Sequence, residues 1–594
     1  MSGACREVVT LQLGHYSNFI GTHWWNLQDA GLVYDADVPA GELQSDVLFR
    51  EGLTLAGHVT YTPRLIAVDL KGSLQTLRKE GSLYDTENEN SAFTWDGQIM
   101  THQESPPSKN PFLQELDNLD TGGLLAEPDF THLTSAVDNC SAVPGASVAV
   151  ETINSSLERI QKSYRLEGSV RVWSDFLRLH LHPRTISVIN QYNHDGESDR
   201  LEVFGQGEAL LQGQVLEDLE DRLHFFIEEC DYLQGFQVLC DLTDGFSGLG
   251  SKVTEYLQDS YGGRGILTWG VAPVNHPDTS SMKDLYHMMN CALGTLQMAN
   301  HSSLFCPLTL RGGLCRRPPP PTAFPLLNYD PLLWYHSSSV LALALDALTV
   351  SYRLRDCSAT MWQLSDALTA SGRKVVSAYG SVPFPMMLGG CLPDALDAFS
   401  DVLPWRSLSA CPEISDGRFC FSQSVTLKGV DEQSLVSRLL PGMEAPSPLH
   451  YERSGEDVLS AYIRSHYPSS PLAVQLVSSG SKVTPPFPQI FNPSLSPQGF
   501  LQSHSTPGSP SCPPVSCLPV LTSLQSSPAV GLQLSELQKA CAALDLRRVA
   551  PSFLTHGPEH AEVSEYLEQL RSLAHCYRQS HSCSSSEEDD DDEY

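Results

Sequence analysis

The sequence predicts an α/β fold with a parallel sheet, followed by a smaller α+β domain and C-terminal helices. Three observations carry that prediction. Residues 214–270 run helix, strand, glycine-rich turn, helix, strand, which is the order of a parallel sheet. The N-terminus offers a second strand that ends on a glycine, Gly14. The 594 residues are 41% apolar, enough for a sizeable core, and their length suggests about four domains.

Val9, Leu11 and Leu13 alternate as in a half-buried strand. Gly14 ends it. Ser17 and Asn18 are N-cap residue types, and Phe19-Ile20 through Trp24-Trp25 suit a helix behind them. Leu65 to Val68 form a second strand, ending in Asp69 and then Lys71-Gly72. Residues 1–103 are thus the first part of the α/β domain. Residues 104–165 carry ESPPSKNP and then a polar stretch, and read as a disordered insertion.

The second part of the α/β domain covers 166–312. Leu216, Leu219, Leu223, Phe226 and Ile227 recur at helical spacing, with Glu217, Asp218, Glu220 and Asp221 off the stripe. A strand from Phe236 to Leu242 leads into the turn Thr243 to Gly250. A helix from about Ser251, a strand over 265–270 and a helix over 281–300 follow. Cys315 to Pro321 is a stiff connector. The intermediate α+β domain spans 322–480, with a helix from Ser337 to Val350. Ser381 to Pro385 belongs in a loop or at a sheet edge, because proline cannot donate to a ladder. Residues 481–530 read as a Pro/Ser-rich linker. Helices over 533–549 and 560–578 fill the segment 531–580, and 581–594 is an acidic tail.

The net charge of -33 excludes a general electrostatic footprint for nucleic acid. The 16 cysteines contain no CxxC pair, so neither a paired-thiolate zinc site nor a disulfide framework is expected. Buried, reduced thiols are. The N-terminus has one early Arg and no long apolar stretch, unlike a signal or transit peptide. No window approaches the ~20 apolar residues of a membrane span, so membrane association is expected to be peripheral or through a partner. The acidic tail reads as a solvated segment, with recruitment of a basic partner or phosphorylation at Ser584–Ser586 as alternatives.

A glycine turn between a strand and a helix exposes backbone N–H groups at a helix N-terminus, a physical anion site. Two such turns occur, at Gly14 and at Gly245–Gly250. Each alone reads equally as a tight turn without a ligand. His180, His182 and His194 with Asp195 are read as ordinary histidines ahead of a metal cluster. Ser247 is not a nucleophile elbow, since the G-x-S-x-G frame is broken.

The context of the turns carries more. REVVTLQLGHYSNFIGTHWW resembles the tubulin N-terminus, with Gln12, Gly14, Asn18, Ile20 and Gly21 in matching places. YTPRLIAVDL resembles the tubulin strand before its second loop. CDYLQGFQ, residues 230–237, resembles the stretch before the tubulin signature loop, and VPFP, 382–385, resembles a segment of its second domain. The four matches are in the right order. Within that superfamily, VWSDFLRLHLHPR, YNHDGE and CDYLQGFQVLCDL, with the insertion near 104–165, resemble the Misato family.

The resemblance implies a tubulin-like nucleotide-binding domain. Its pocket would comprise Gly14, His15, Asn18, Asp69, Lys71, Gly245, Ser247, Gly248, Gly250 and Tyr286, with GTP as the cofactor to consider. No catalytic residue and no metal ligand is assigned. The departures argue against hydrolysis. Asp244 brings negative charge toward the phosphates, and Phe246 and Leu249 add bulk to a loop that is almost all small residues in tubulin. Lys71 stands where tubulin has an acidic group near magnesium, and a Lys cannot ligate a hard cation. Met282 stands where a guanine-reading Asn is expected. The segment before VPFP lacks the trans-acting acid of tubulin-like polymers, and Asp366 could stand in only after an alignment gap.

The family further implies regulation of mitochondrial distribution, morphology and fusion, at the outer mitochondrial membrane and in the cytoplasm. Outer-membrane or cytoskeletal proteins, tubulin included, are the implied partners. The alternative is a GTP-binding tubulin-like GTPase that self-assembles.

Overall fold

A computed structural model describes residues 6–32, 41–53, 59–74, 76–78, 108–120, 164–194, 199–316, 318–355, 359–399, 402–412, 419–437, 444–502 and 514–578. The acidic tail, most of the insertion and Asp195 lie outside these residues.

The first sheet takes β1 (Glu7–Leu13), β2 (Leu65–Lys71) and β3 (Ile186–Asn193). It continues with β4 (Leu233–Asp241), β5 (Gly265–Ala272) and β6 (Leu304–Thr309). All pairings are parallel, in the order β3-β2-β1-β4-β5-β6. The order reverses between β1 and β4. Such a switch point opens a crevice at the carboxyl ends of the strands, where ligands of open α/β sheets sit.

Helix α1 (His15–Gly31) follows β1 directly. The other helices of this half are α2 (Pro111–Asp120), α3 (Phe204–Glu208), α4 (Gln214–Glu228), α5 (Phe246–Ser260) and α6 (Ser281–His301). Strand β1 corrects the half-buried expectation, for all seven of its residues are buried. The alternation is real, but both faces are covered, as parallel sheets require. Val8 joins a core with α1 and Trp269, whereas Val9, Leu11 and Leu13 join one with α5 and α6. The expected amphipathic helix is α4, with Leu219, Leu223 and Phe226 buried.

Two other expectations are corrected. Ser17 and Asn18 do not cap α1; the cap is Gly14, and both residues are buried inside the first turn. Part of the insertion is ordered, because α2 buries Phe112, Leu113 and Leu116. The Asn110 side chain accepts from Leu113 N (2.9 Å) and donates to Asp175 O (2.7 Å).

The second half contributes α7 (Trp334–Leu348), α8 (Met361–Leu368), β7 (Ser377–Ser381), α9 (Leu392–Asp397) and β8 (Arg406–Ser407). It continues with β9 (Ser422–Lys428), α10 (Gly455–His466), β10 (Leu472–Val477) and β11 (Val520–Ser526). The second sheet runs β8-β7-β11-β9-β10 and is mixed. Strand β11 therefore corrects the linker expected over 481–530. It lies between β7 and β9, and all seven of its residues are buried. Its partners are far off in the chain, Thr522 pairing with both Thr426 and Gly380, beyond any local composition signal.

Nor does the core stop at the expected boundary near 322. Helix α7 packs on α1 and on β11, so one apolar cluster joins Trp24 and Trp269 to Leu341, Val520 and Leu524. A buried ion group ties the same helix to the second sheet. Asp346 of α7 pairs with Lys428 of β9 and, at 3.0 Å, with Arg353. Finally α11 (Pro528–Ala542) and α12 (His560–His575) pack on each other and on α6. Among the described residues no helix is long and apolar enough to cross a membrane, and the described cysteines are free thiols.

Candidate functional site

The crevice at the switch point is lined by the ends of β1, β2 and β4. The first turn of α1 points its N–H groups there, and a helix N-terminus favours an anion. The chain supplies that anion itself. Tyr16 N donates to Asp241 Oδ2 at 2.9 Å, and Ser17 N donates to Oδ1 at 2.7 Å. The Ser17 hydroxyl donates to the same Oδ1 at 2.6 Å. Asp241 is 2% exposed. Gly14 permits the approach: its φ is 112°, and a Cβ there would lie 2.5 Å from Asp241 Cγ.

Two further carboxylates close the crevice. Asp69, at the end of β2, takes three donors on Oδ2: Trp173 Nε1 at 2.8 Å, His15 Nδ1 at 2.9 Å and Asn18 Nδ2 at 3.2 Å. Its Oδ1 accepts from Leu70 N at 2.8 Å. Burial pushes this carboxyl up, but the neighbouring His15, the hydrogen bonds from His15 and Leu70 N, and nearby His194 hold it below its ordinary value. Asp244 lies just before Gly245, the N-cap of α5, and accepts from Phe246 N, the first residue of the helix, at 2.9 Å. Burial raises Asp244 to about 7, and nearby Asp69 adds to the shift. Asp241 is also raised, first by burial and then by Asp244, while Ser17 and Tyr16 pull it back.

Gly14, His15, Asn18 and Asp69 thus converge at the switch point, with the start of the 243–250 turn beside them. The rest of that turn has another role. The helix begins at Phe246, earlier than the sequence suggested, so Ser247, Gly248 and Gly250 lie within α5. A Cβ on Gly248 would lie 1.9 Å from Phe204 O, and one on Gly250 would lie 2.3 Å from Cys240 Sγ. One on Gly245 would lie 2.7 Å from Leu201 Cδ1. These glycines let α5 pack tightly on α3 and β4. Ser247 Oγ donates to Asp244 O at 2.7 Å. Asn290 ties α3 to the start of the turn, accepting from Phe204 N at 2.9 Å and donating to Thr243 O at 3.0 Å.

Other expected residues do not join. Lys71 is exposed at the end of β2, where its carbonyl accepts from His194 N at 2.9 Å. Tyr286 is a core aromatic: its hydroxyl bonds Ser552 and its ring packs 5.9 Å from Phe553. Met282 is exposed. Asp366 lines a separate cleft of about 460 Å³ with Arg264 and Ile266, at the start of β5 and so at the opposite end of the sheet. The histidines disperse. His180 bonds Arg78, His182 stacks on Phe225 and His194 lies against His15, with ring centroids 3.8 Å apart. His15, Asp69 and His194 are close enough to ligate an ion, but Asp69 is already occupied by its donors.

The residues present therefore do not fit a polyphosphate. A carboxylate stands on the N–H groups that would hold one, with two more acids beside it. The buried polar atoms left without a partner here include Gln12 Nε2 and Asn18 Oδ1. Sequence reasoning missed Asp241 and Trp173. A signal existed for the first: Asp241 is an acid closing an apolar strand.

The comparisons agree with this architecture. A family model described as "Misato Segment II tubulin-like domain" matches residues 6–118, and one described as "Tubulin domain" matches 164–354. "Protein misato homolog 1" of Danio rerio is 96% identical, covering 100% of both chains. The Homo sapiens protein of that name is 46% identical, covering 97% of this chain and 99% of its own. "Protein misato" of Drosophila melanogaster is 28% identical, covering 97% and 99%.

Proposed function

The chain belongs to the misato family, and from that premise we propose that it organises the mitochondrial network as a tubulin-like interaction protein that does not hydrolyse GTP. Its targets in this reading are mitochondrial distribution, morphology and fusion. It acts peripherally on the cytosolic face of the outer membrane and in the cytoplasm, through outer-membrane or cytoskeletal proteins such as tubulin. Family membership supports the mitochondrial part. One observation supports the non-hydrolysing part: the Asp241 carboxylate sits on the α1 N-terminus.

The test has two arms. Purified protein is denatured, its released nucleotide is chromatographed, and GTP with magnesium is titrated calorimetrically. Absence of both nucleotide and binding heat is expected. Tight binding with turnover would replace this reading with the self-assembling GTPase. Cells depleted of the protein should show a collapsed or fragmented mitochondrial network. Rescue by wild-type protein is expected, and an undisturbed network would sink the mitochondrial role.

A further inference from the structure

A second cluster of ligand-type side chains lies on the second half of the molecule. Cys391 is the N-cap of α9, and Asp394 and Asp397 follow within the helix, three apart and so neighbours on its surface. His450 comes from the turn Pro448–Tyr451. Cys391 Sγ lies 3.0 Å from Asp394 Oδ2. His450 Nε2 lies 3.6 Å from Asp394 Oδ1 and 3.2 Å from Asp397 Oδ2. The ligand atoms of Cys391, Asp394 and His450 all fall within 4.8 Å of one another.

We propose that Cys391, Asp394 and His450 bind a zinc-type divalent cation that pins α9 to the 448–451 turn, with Asp397 beside His450. Zinc bonds of ~2.0–2.3 Å place tetrahedral ligand atoms ~3.3–3.8 Å apart, so the cluster needs only a small adjustment. One thiolate and one imidazole among oxygen donors suit zinc and disfavour magnesium and calcium. The buried His450 ring is already oriented, since its Nδ1 bonds Ser437 Oγ at 2.9 Å and Nε2 faces the carboxylates. The Asp394 side chain is 63% exposed, which leaves an entry path. A simple imidazolium–carboxylate pair would not need Cys391, so the thiol discriminates between the two.

Full-length protein, stripped with a chelator, is titrated with zinc alone and then with cobalt alone. Wild type should bind one equivalent more zinc than Cys391→Ser. Its cobalt form should show tetrahedral ligand-field bands and a thiolate-to-cobalt band, and Cys391→Ser should lose the latter. Asp394→Asn, at an exposed position, should keep the fold and bind at least about tenfold more weakly, and Ser437→Ala should lose about tenfold. His15→Gln, in the other cluster, should bind as wild type. The proposal fails if wild type takes up no stoichiometric zinc. It also fails if the cobalt spectrum lacks the thiolate band or survives unchanged in Cys391→Ser.

Discussion

The two halves of this molecule each gather ligand-type side chains, and they treat them in opposite ways. At the switch point of the first sheet, Asp241 and Asp69 are buried, Asp244 is half-buried, and all three already accept from donors of the chain. Around α9, Asp394 and Asp397 reach solvent and face an oriented imidazole. Residue type alone does not distinguish the two places. What distinguishes them is whether the fold has already satisfied the acids, since a buried carboxylate with its donors in place has little to offer a ligand.

The largest expected effect breaks the closed half of that comparison. Asp241→Ala strands Tyr16 N, Ser17 N and the Ser17 hydroxyl in a buried place. Each unsatisfied group costs about 1–3 kcal/mol, so the variant should lose about 3 kcal/mol or more in urea unfolding. A variant as stable as wild type would mean that Asp241 is not the anion that α1 requires.

Asp244→Asn probes the same acids through pH. The folded carboxyl titrates near 7, against 3.8 for an ordinary one. The folded state therefore holds this proton more tightly than the unfolded chain. Its ionisation costs nothing below pH about 4, costs more as pH rises, and reaches its full cost above about 7. An Asn keeps the acceptor for Phe246 N and removes the charge. Its stability relative to wild type should rise by on the order of 2–4 kcal/mol between pH 4 and pH 8. A flat difference across that range would show that burial does not penalise the Asp244 charge.

Gly248→Ala sharpens the account of the turn. The new methyl would meet Phe204 O, and overpacking of this kind costs about 1–3 kcal/mol. Thermal unfolding checks it. No loss of stability would return Gly248 to the role of a ligand cradle.

Much of the fold was legible in sequence because its signals are local. The α4 stripe, the strand–glycine–helix junction at Gly14 and the run through β4 each declare themselves within about fifteen residues. The site was half legible. Gly14, His15, Asn18 and Asp69 were named and do meet, because strand ends and helix starts at a switch point converge whatever occupies it. Tyr286, Lys71 and the later glycines of the turn, grouped with them in sequence, lie apart from that meeting point. A tyrosine, a lysine or a glycine looks the same in sequence whether it faces a ligand, solvent or a neighbouring helix.

The sequence by itself determined the main elements around the first sheet, the parallel character of that sheet and the membership in a tubulin-like family. Those follow from periodicity, turn residues and ordered motifs along the chain. Only the tertiary structure decided that Asp241 would sit on the N-terminus of α1, 224 positions from Ser17. Only it decided that the Pro/Ser-rich stretch near 520 would supply the middle strand of the second sheet. Both depend on pairing partners far apart in the chain, and burial, not composition, selects such partners.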